Sequence, residues 1–203
     1  CKFTNNTTYN HSSSRGIINS SGNLTMKNCL FYDNDVLRGE DTYAGIIYMV
    51  SGSLSATNCT FTGNDGGYCF YFEGASSQPT ITNCLFYNNT GSYDLRNYGI
   101  STSSNYPEMD NCYYEGRTGN YATADESGNL TSGDVDFLGA AADDYRIGYN
   151  SVCKNAGTAS GAPSVDFAET ARNGDSQGFD MGCYEYSITN TWDGSSSTDW
   201  GTA

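Results

Sequence analysis

One pattern of apolar and polar positions recurs along the first half of the chain. Its clearest copies are residues 24–34 (LTMKNCLFYDN), 54–64 and 79–89, followed by a shortened copy at 109–114, and residues 1–3 resemble the end of an earlier one. The cysteines of these copies are 28, 30, 25 and 28 residues apart. A repeat of roughly 20 to 50 residues is typical of solenoids, propellers and arrays.

The alternation of apolar residues predicts short strands joined by a sharp corner. Leu24 and Met26 share one face of a strand, and so do Cys29 and Phe31, but the second pair is one residue out of step with the first. A bend at Asn28 brings all four side chains to one interior, and asparagine is the non-glycine residue that most readily adopts the left-handed conformation this bend needs. The same slip recurs at the equivalent positions Asn58, Asn83 and Asn111.

A further apolar run, opened by glycine, precedes each copy, as at residues 16–18 and 45–48. Three short strands per turn of about 28 residues indicate an all-β, right-handed parallel β-helix over residues 1–117. The composition, rich in Gly, Ser, Thr and Asn, disfavours the helical segments of leucine-rich repeats. We predict an inward cysteine row (Cys29, Cys59, Cys84 and Cys112) and an aromatic row two residues on (Phe31, Phe61, Phe86 and Tyr114).

The net charge of the chain restricts the classes of molecule that it is expected to bind. The formal net charge is −14 and the sequence pI is about 4.1, whereas nucleic acids and anionic membranes require basic patches. Because no run of about 18 apolar residues occurs, we also expect no membrane insertion. Extracellular glycans, or other copies and modules of one surface assembly, are the expected partners.

The eight cysteines are predicted to be mostly free thiols. Successive coils of a parallel β-helix stack about 4.8 Å apart, and parallel Cβ atoms at that distance are too far apart for a disulfide, which requires roughly 3.5 to 4.5 Å. No CxxC or Cys/His pair is present, which argues against a zinc site. Cys69, Cys153 and Cys183 lie outside the row.

Carboxylates provide the only candidate chemistry of the repeat. Asp35 and Asp65 each lie six residues after a row cysteine, which places them on adjacent coils, and Asp33 is close in sequence. Such a group could hold calcium, or Asp35 and Asp65 could act as the acid and nucleophile of a glycosidase. The alternative is that they are solvated loop residues, with Asn34 and Asn64 as corners.

After residue 117 the repeat fades, and residues 118–186 are expected to form an irregular cap over the open end of the solenoid. Four motifs follow one another there: residues 145–147 (YRI), 151–157 (SVCKNAG), 166–172 (DFAETAR) and 179–186 (FDMGCYEY). In this order they resemble the C-terminal signature of the choice-of-anchor Q domain, and the resemblance covers roughly residues 1–186.

This resemblance implies a pectate-lyase-like right-handed β-helix in a secreted or surface-attached bacterial protein, mostly without an assigned activity. Val152 and Glu169 stand where that family commonly has proline and glycine, so local turns are expected to differ. The motif also suggests a disulfide between Cys153 and Cys183. Arg172 is a candidate to form an ion pair with Asp166 or Asp180 within the cap.

Three functions are consistent with these observations. The first is a non-catalytic structural or adhesive module, such as a stalk, adhesin or filament component, and the second is a polysaccharide lyase or glycoside hydrolase. For the second, the basic residues Arg38 and Arg96 are assigned to loops, and the single histidine, His11, is read as a surface residue. The third is a glycan-binding module that uses some of the 17 tyrosines. Residues 187–203, with both tryptophans, are expected to be a linker and the start of a following β domain.

Overall fold

Parallel strands wind around one apolar core in the computed structural model, which describes residues 1–9, 15–37, 43–74, 78–91, 93–98, 106–115, 126–172 and 177–187. The positions of His11, Arg38 and the two tryptophans, and the predicted module after residue 187, lie outside the described residues.

Three sheets form the sides of the solenoid, and every neighbouring pair of strands within them is parallel. Sheet A contains β1 (Lys2–Thr4), β5 (Leu30–Tyr32), β9 (Thr60–Thr62) and β12 (Leu85–Tyr87). Sheet B contains β3 (Gly16–Ser20), β7 (Gly45–Met49), β10 (Tyr68–Phe72) and β13 (Tyr93–Asn97). Sheet C contains β4 (Leu24–Lys27), β8 (Leu54–Thr57), β11 (Thr80–Thr82), β14 (Glu108–Asp110) and β15 (Glu126–Ser127).

Two further strand pairs complete the described elements. Strands β2 (Thr7–Tyr9) and β6 (Asp35–Leu37) pair in parallel between sheets A and B along the chain. Strands β16 (Phe137–Gly139) and β17 (Asp144–Ile147) form an antiparallel hairpin, with a 3₁₀ turn at Ala140–Ala142 between them. The prediction of an all-β parallel β-helix with three main strands per coil is therefore confirmed.

Each corner between sheets C and A is a single left-handed residue, as the slip in the pattern predicts. The backbone φ angle is 49° at Asn28, 51° at Asn58, 53° at Asn83 and 49° at Asn111. Each thiol of the cysteine row then lies 3.3 to 3.5 Å from the carbonyl oxygen two residues earlier, as in the pair Cys59 and Thr57. The corner therefore fixes where the cysteine side chain points.

A second left-handed corner, which the sequence reading missed, lies four residues after Cys1, Cys29, Cys59 and Cys84. It is formed by Asn5, Asp33, Gly63 and Asn88, with φ angles of 53°, 51°, 62° and 53°. The residue that follows this corner points inward, so Asn34 and Asn64 are buried interior residues and not the corners that were predicted. The signal was present, because the inward step from Phe31 to Asn34 repeats the slip at Asn28.

The aromatic row stacks almost face to face along the core. Ring centroids are 4.5 Å apart for Phe3 and Phe31, 4.6 Å for Phe31 and Phe61, and 5.2 Å for Phe61 and Phe86. Tyr114 is buried in the same core. The spacing follows from the separation of neighbouring strands, about 4.7 to 4.9 Å.

Coil pairing continues beyond residue 117, the predicted end of the repeat. Strand β15 pairs with β14, and Leu130 forms a bridge with Tyr113. Asn129 takes the place of a row cysteine: its Oδ1 accepts a hydrogen bond from the Cys112 amide at 2.7 Å, and its Nδ2 donates to the Met109 carbonyl at 2.8 Å. The side-chain amide thus ends the thiol row by satisfying backbone groups.

The C-terminal segment, residues 131–187, lies along the side of the solenoid, and the predicted position over its end is not observed. Four corner amides bind it. Three do so in reverse order, since Asn111 donates to the Ala156 carbonyl, Asn83 to that of Thr158 and Asn28 to that of Val165, whereas Asn58 donates to the carbonyls of Asp180 and Gly182 in a later loop. The chain from 156 to 165 therefore runs back toward the first coil.

This segment covers the outward face of sheet A. Leu85 and Tyr113 pack against Ile147, Cys153 and other apolar residues of the segment, while Leu30 and Tyr32 pack against Tyr145 and Cys183. The sequence carried a signal for this, because Leu-Phe-Tyr in β5 and β12 is apolar at every position, which indicates a strand buried on both faces.

We predict that Phe61→Ala lowers the free energy of unfolding by about 3 to 5 kcal/mol, because it leaves a cavity between two stacked rings. Chemical denaturation followed by circular dichroism measures the change. Tyr9→Ala is the control, since Tyr9 is 68% exposed and should change stability by no more than about 0.5 kcal/mol. Equal effects of the two substitutions would contradict the stacked core.

Candidate functional site

The structure brings Asp35 and Asp65 together on the outside of adjacent coils. They form a parallel bridge, and Asp65 also accepts a hydrogen bond from the Thr90 hydroxyl. Partial burial, and then the charge of Asp65, raise the pKa of Asp35. Asp65 is exposed, and the described residues around the pair leave it on an open surface without the enclosing groove that glycoside cleavage favours.

Asp33 does not join this pair. It occupies the second corner, where burial and then the charge of Asp143 raise its pKa. Within the described ranges, no three carboxylate, histidine or cysteine side chains are grouped so that they could hold a metal ion. The three aspartates predicted to bind calcium are thus two separate features, and calcium binding stays a prediction.

All eight cysteines are free thiols, and all but Cys1 are buried. Burial raises the pKa of Cys59 and Cys84, and a hydrogen bond to Cys59 together with burial raises that of Cys29. These thiols are therefore uncharged at neutral pH and pack as small apolar groups.

The predicted disulfide between Cys153 and Cys183 is not formed. Cys153 packs with Val135 and Met181, whereas Cys183 lies in a different cluster with Leu30 and Tyr145. Met181 and Cys183 would share a face of an extended strand, but Gly182 between them has a φ of 94° and turns the chain. Burial raises the pKa of both thiols to about 12.

A ladder of side-chain amides, buried at Asn34, Asn64 and Asn89, runs along the core beside the aromatic row. Nδ2 of Asn6 donates to Oδ1 of Asn34 at 2.8 Å, Asn34 donates to Asn64 at 2.9 Å, and Asn64 donates to Asn89 at 3.0 Å. The amides of Asn34, Asn64 and Asn89 also donate to a backbone carbonyl of the coil before, such as the Phe31 carbonyl for Asn64 at 3.0 Å. The ladder satisfies its own buried polar groups, which makes their burial tolerable.

Three of the four motifs of the C-terminal segment, those at residues 151–157, 166–172 and 179–186, form a buried polar network. Arg172 Nη1 donates to Glu185 Oε2 at 2.9 Å, and Nη2 donates to Asn28 Oδ1 at 2.8 Å. The side chains of this ion pair are 0% and 5% exposed. Glu185 is thus the partner of Arg172, and the predicted pairing with Asp166 or Asp180 is wrong.

Asp166 and Asp180 instead accept hydrogen bonds from the backbone. Asp166 Oδ1 accepts from the amides of Ala168 and Thr170 at 2.7 and 2.8 Å, and its Oδ2 accepts from Glu185 at 2.8 Å. Asp180 Oδ1 accepts from the Asn155 amide at 2.6 Å. Both carboxylates therefore hold loops of the segment in place.

The outward side of sheet B carries a group of aromatic residues with one arginine, which we call the tyrosine face: Tyr43, Tyr48, Tyr68, Tyr71, Tyr93, Tyr98 and Arg96. The rings of Tyr48 and Tyr71 stack with centroids 5.0 Å apart, and those of Tyr43 and Tyr98 are 4.9 Å apart. Arg96 lies on β13, not on a loop as expected. Tyr98 is 51% exposed at the rim.

One edge of the tyrosine face is closed by an ion pair. Arg15 Nη1 lies 3.4 Å from Glu73 Oε1 and donates to the Tyr48 hydroxyl at 2.7 Å, and that hydroxyl donates to Glu73 Oε2 at 2.8 Å. Burial raises the pKa of Tyr48 to about 12. The sequence reading noted the abundance of tyrosine but not this grouping.

The parallel strands and the interior rows, each of which receives one residue from every coil, define a β-solenoid protein. The chain belongs to the right-handed β-helix family, since the model of the right-handed β-helix region matches residues 1–137. Comparison with curated proteins and with solved structures gave no match. Among the described residues, no helix has the length and apolar character needed to cross a membrane.

We predict that Arg172→Met destabilises the fold by about 3 to 5 kcal/mol, because it leaves the Glu185 carboxylate buried without its partner. Thermal and denaturant unfolding measure the change. The ion pair of Arg146 and Asp144, whose side chains are 49% and 29% exposed, provides the control, and Arg146→Met should cost less than about 1 kcal/mol.

The double variant Arg172→Met with Glu185→Gln should recover part of the loss, because glutamine removes the unpaired charge and keeps an acceptor for the Asp180 amide, which donates to Glu185 Oε2 at 3.3 Å. A double variant that is less stable than Arg172→Met alone would contradict this account of the ion pair.

We also predict that a thiol reagent labels one cysteine, Cys1, in the folded chain and all eight after denaturation without reductant. The reason is that seven thiols are buried and none is paired. Intact mass after alkylation gives the count. Six labels in the denatured, unreduced chain would indicate one disulfide and contradict the structure.

Proposed function

We propose that this chain is a rigid, non-catalytic structural or adhesive module of a secreted or cell-surface bacterial protein, of the kind its choice-of-anchor Q resemblance implies. The observation that carries the proposal is the binding of the C-terminal segment along the solenoid. It joins four coils through their corner amides, so that bending between coils would break hydrogen bonds on the outside as well as the stacked rows inside.

The motifs behind the resemblance support a structural role. Arg172, Asp166, Asp180 and Glu185 use their charges on one another, on Asn28 or on backbone amides. Charged groups with their hydrogen bonds satisfied inside the protein hold loops in position. In this proposal the residues of the signature hold the C-terminal segment in position on the solenoid.

The enzymatic alternative rests on Asp35 and Asp65 alone. A glycosidase needs one carboxyl group with a raised pKa and a second in defined geometry, in a site that shields the substrate from water. The pKa of Asp35 is raised, but the pair lies on an open surface beside Thr90. This arrangement favours a solvated acidic pair.

We therefore predict that the isolated chain releases no product from acidic or neutral polysaccharides, with or without calcium, because the described residues form no substrate groove around the acidic pair. Reducing-end and unsaturated-product assays measure turnover. Turnover that is lost in both Asp35→Asn and Asp65→Asn, but retained in the control Asp134→Asn, would overturn the proposal.

Location is tested separately on cells that carry the gene. Antibodies against the folded chain should label intact cells or the culture medium, because the proposal places the module outside the cell. Labelling that requires permeabilised cells would contradict that location.

A further inference from the structure

Four cysteine thiols are stacked in one row inside the solenoid. Cys59, Cys84 and Cys112 are fully buried and Cys29 is 6% exposed, and all four are unpaired. Two neighbouring thiols are enough for a soft metal ion with a filled d shell, such as Cu(I), which accepts two thiolates in a line. The described residues contain no group of three metal ligands, but a linear site needs only two.

The spacing of the coils matches the length of such a site. Leu85 and Tyr113 pair in parallel register, and each directly follows a row cysteine, so Cys84 and Cys112 lie side by side. Neighbouring strands lie about 4.8 Å apart, and two metal–thiolate bonds of roughly 2.3 Å placed in a line span about 4.6 Å. A disulfide, with sulfurs about 2.0 Å apart, would have to draw the coils together. An ion between the sulfurs leaves the register of the backbone as it is.

The sulfur of Cys112 also has a donor that stabilises a thiolate. The backbone amide of Cys84 donates to Cys112 Sγ at 3.3 Å, and the two thiols are hydrogen bonded to each other. Hydrogen bonds to ligand sulfur stabilise metal-bound thiolates. An ion that replaces the proton between these thiols therefore meets two sulfurs already in contact, one of them with an amide donor in place.

Binding of the ion exchanges it for two protons. Cu(I) and two S–H groups give an S–Cu–S unit with one negative charge, and both protons leave to the solvent. Little hydrogen bonding is lost, because S–H is a weak donor and the contacts of Cys84 Sγ with the Thr82 carbonyl and of Cys112 Sγ with the Asp110 carbonyl are 3.4 and 3.3 Å long. Zinc requires four ligands in a tetrahedron and calcium requires oxygen ligands, so this geometry favours a soft univalent ion.

We propose that the interior thiol row binds a soft univalent metal ion of the Cu(I) class, held in a line between Cys84 Sγ and Cys112 Sγ. This inference goes beyond the proposed function and does not rest on it, since it concerns the interior of the solenoid and not its outer surface. The buried site keeps water and competing ligands away from the ion.

Silver(I) is the probe, because it has the charge and the filled d shell of Cu(I) but keeps its oxidation state. Cys1→Ser serves as the parent chain, since it lacks the exposed thiol. Ag(I) is supplied in chloride-free buffer both to the folded chain and during refolding from denaturant. We expect native mass spectrometry to show one tightly bound ion, with thiolate-to-metal absorption in the ultraviolet and two protons released. The thermal midpoint should rise, because the ion binds the folded state.

Two double variants of this parent separate the proposed pair from the rest of the row. Cys29→Ser with Cys59→Ser keeps the proposed ligands and should keep the affinity of the parent. Cys84→Ser with Cys112→Ser should bind the ion at least tenfold more weakly, because even the loss of a group that only supports a ligand costs about 10- to 100-fold in metal affinity. Cys153→Ser removes a buried thiol outside the row and should change nothing. Should a double variant fail to fold, Cys112→Ala and Cys29→Ala provide the same comparison.

Three outcomes would overturn the site and leave the proposed structural function intact. They are equal affinities of the two double variants, loss of the bound ion in Cys153→Ser, and the absence of a bound ion after both ways of loading. An ion that binds only when circular dichroism shows an unfolded chain would also overturn it, because the ligands are set by the stacking of the coils. One ion per folded chain, lost with Cys84 and Cys112 alone, is the result we expect.

Discussion

Parallel, in-register stacking is the constraint on which this structure depends. Each residue of a coil lies beside its equivalent in the next coil, about 4.8 Å away, so a side chain must be compatible with a copy of itself. Flat phenylalanine rings, small thiols and self-complementary amides meet this condition, and all three form rows here. A charged interior row would fail it, because like charges at this distance repel. Single left-handed residues then keep the rows aligned from coil to coil.

The fold could be predicted from the sequence because in-register stacking requires similar residues at equivalent positions of every coil. This requirement appears in the sequence as a repeat. The one-residue slip at Asn28 places Cys29 and Phe31 inside without any knowledge of the structure. The same logic, applied five residues further on, would have placed Asn34 and Asn64 in the interior. It was not applied because asparagine is so common at corners that a buried amide ladder and a loop corner look alike in the sequence.

The C-terminal segment could be predicted less well, since its contacts are not periodic. Arg172 meets Glu185 through loops whose course depends on Gly182 and on the corner amide of Asn28, and spacing alone does not distinguish Glu185 from Asp166. The tyrosine face was missed for a related reason. Tyr43 and Arg96 are far apart in sequence, and only the stacking of sheet B brings them together.

The amide ladder also gives the solenoid a direction. Each hydrogen bond between its amides runs from Nδ2 in the earlier coil to Oδ1 in the later coil, so these side-chain dipoles share one sense along the axis, as peptide dipoles do in an α-helix. The positive end of this sum meets the buried carboxylate of Asp94, which accepts from Asn89 at 3.5 Å. The oxygen end belongs to the first coil. A further coil added there has to present amide hydrogens to Asn6, whereas a coil in the reversed orientation would set oxygen against oxygen. The row of asparagines thus marks the polarity of the stack.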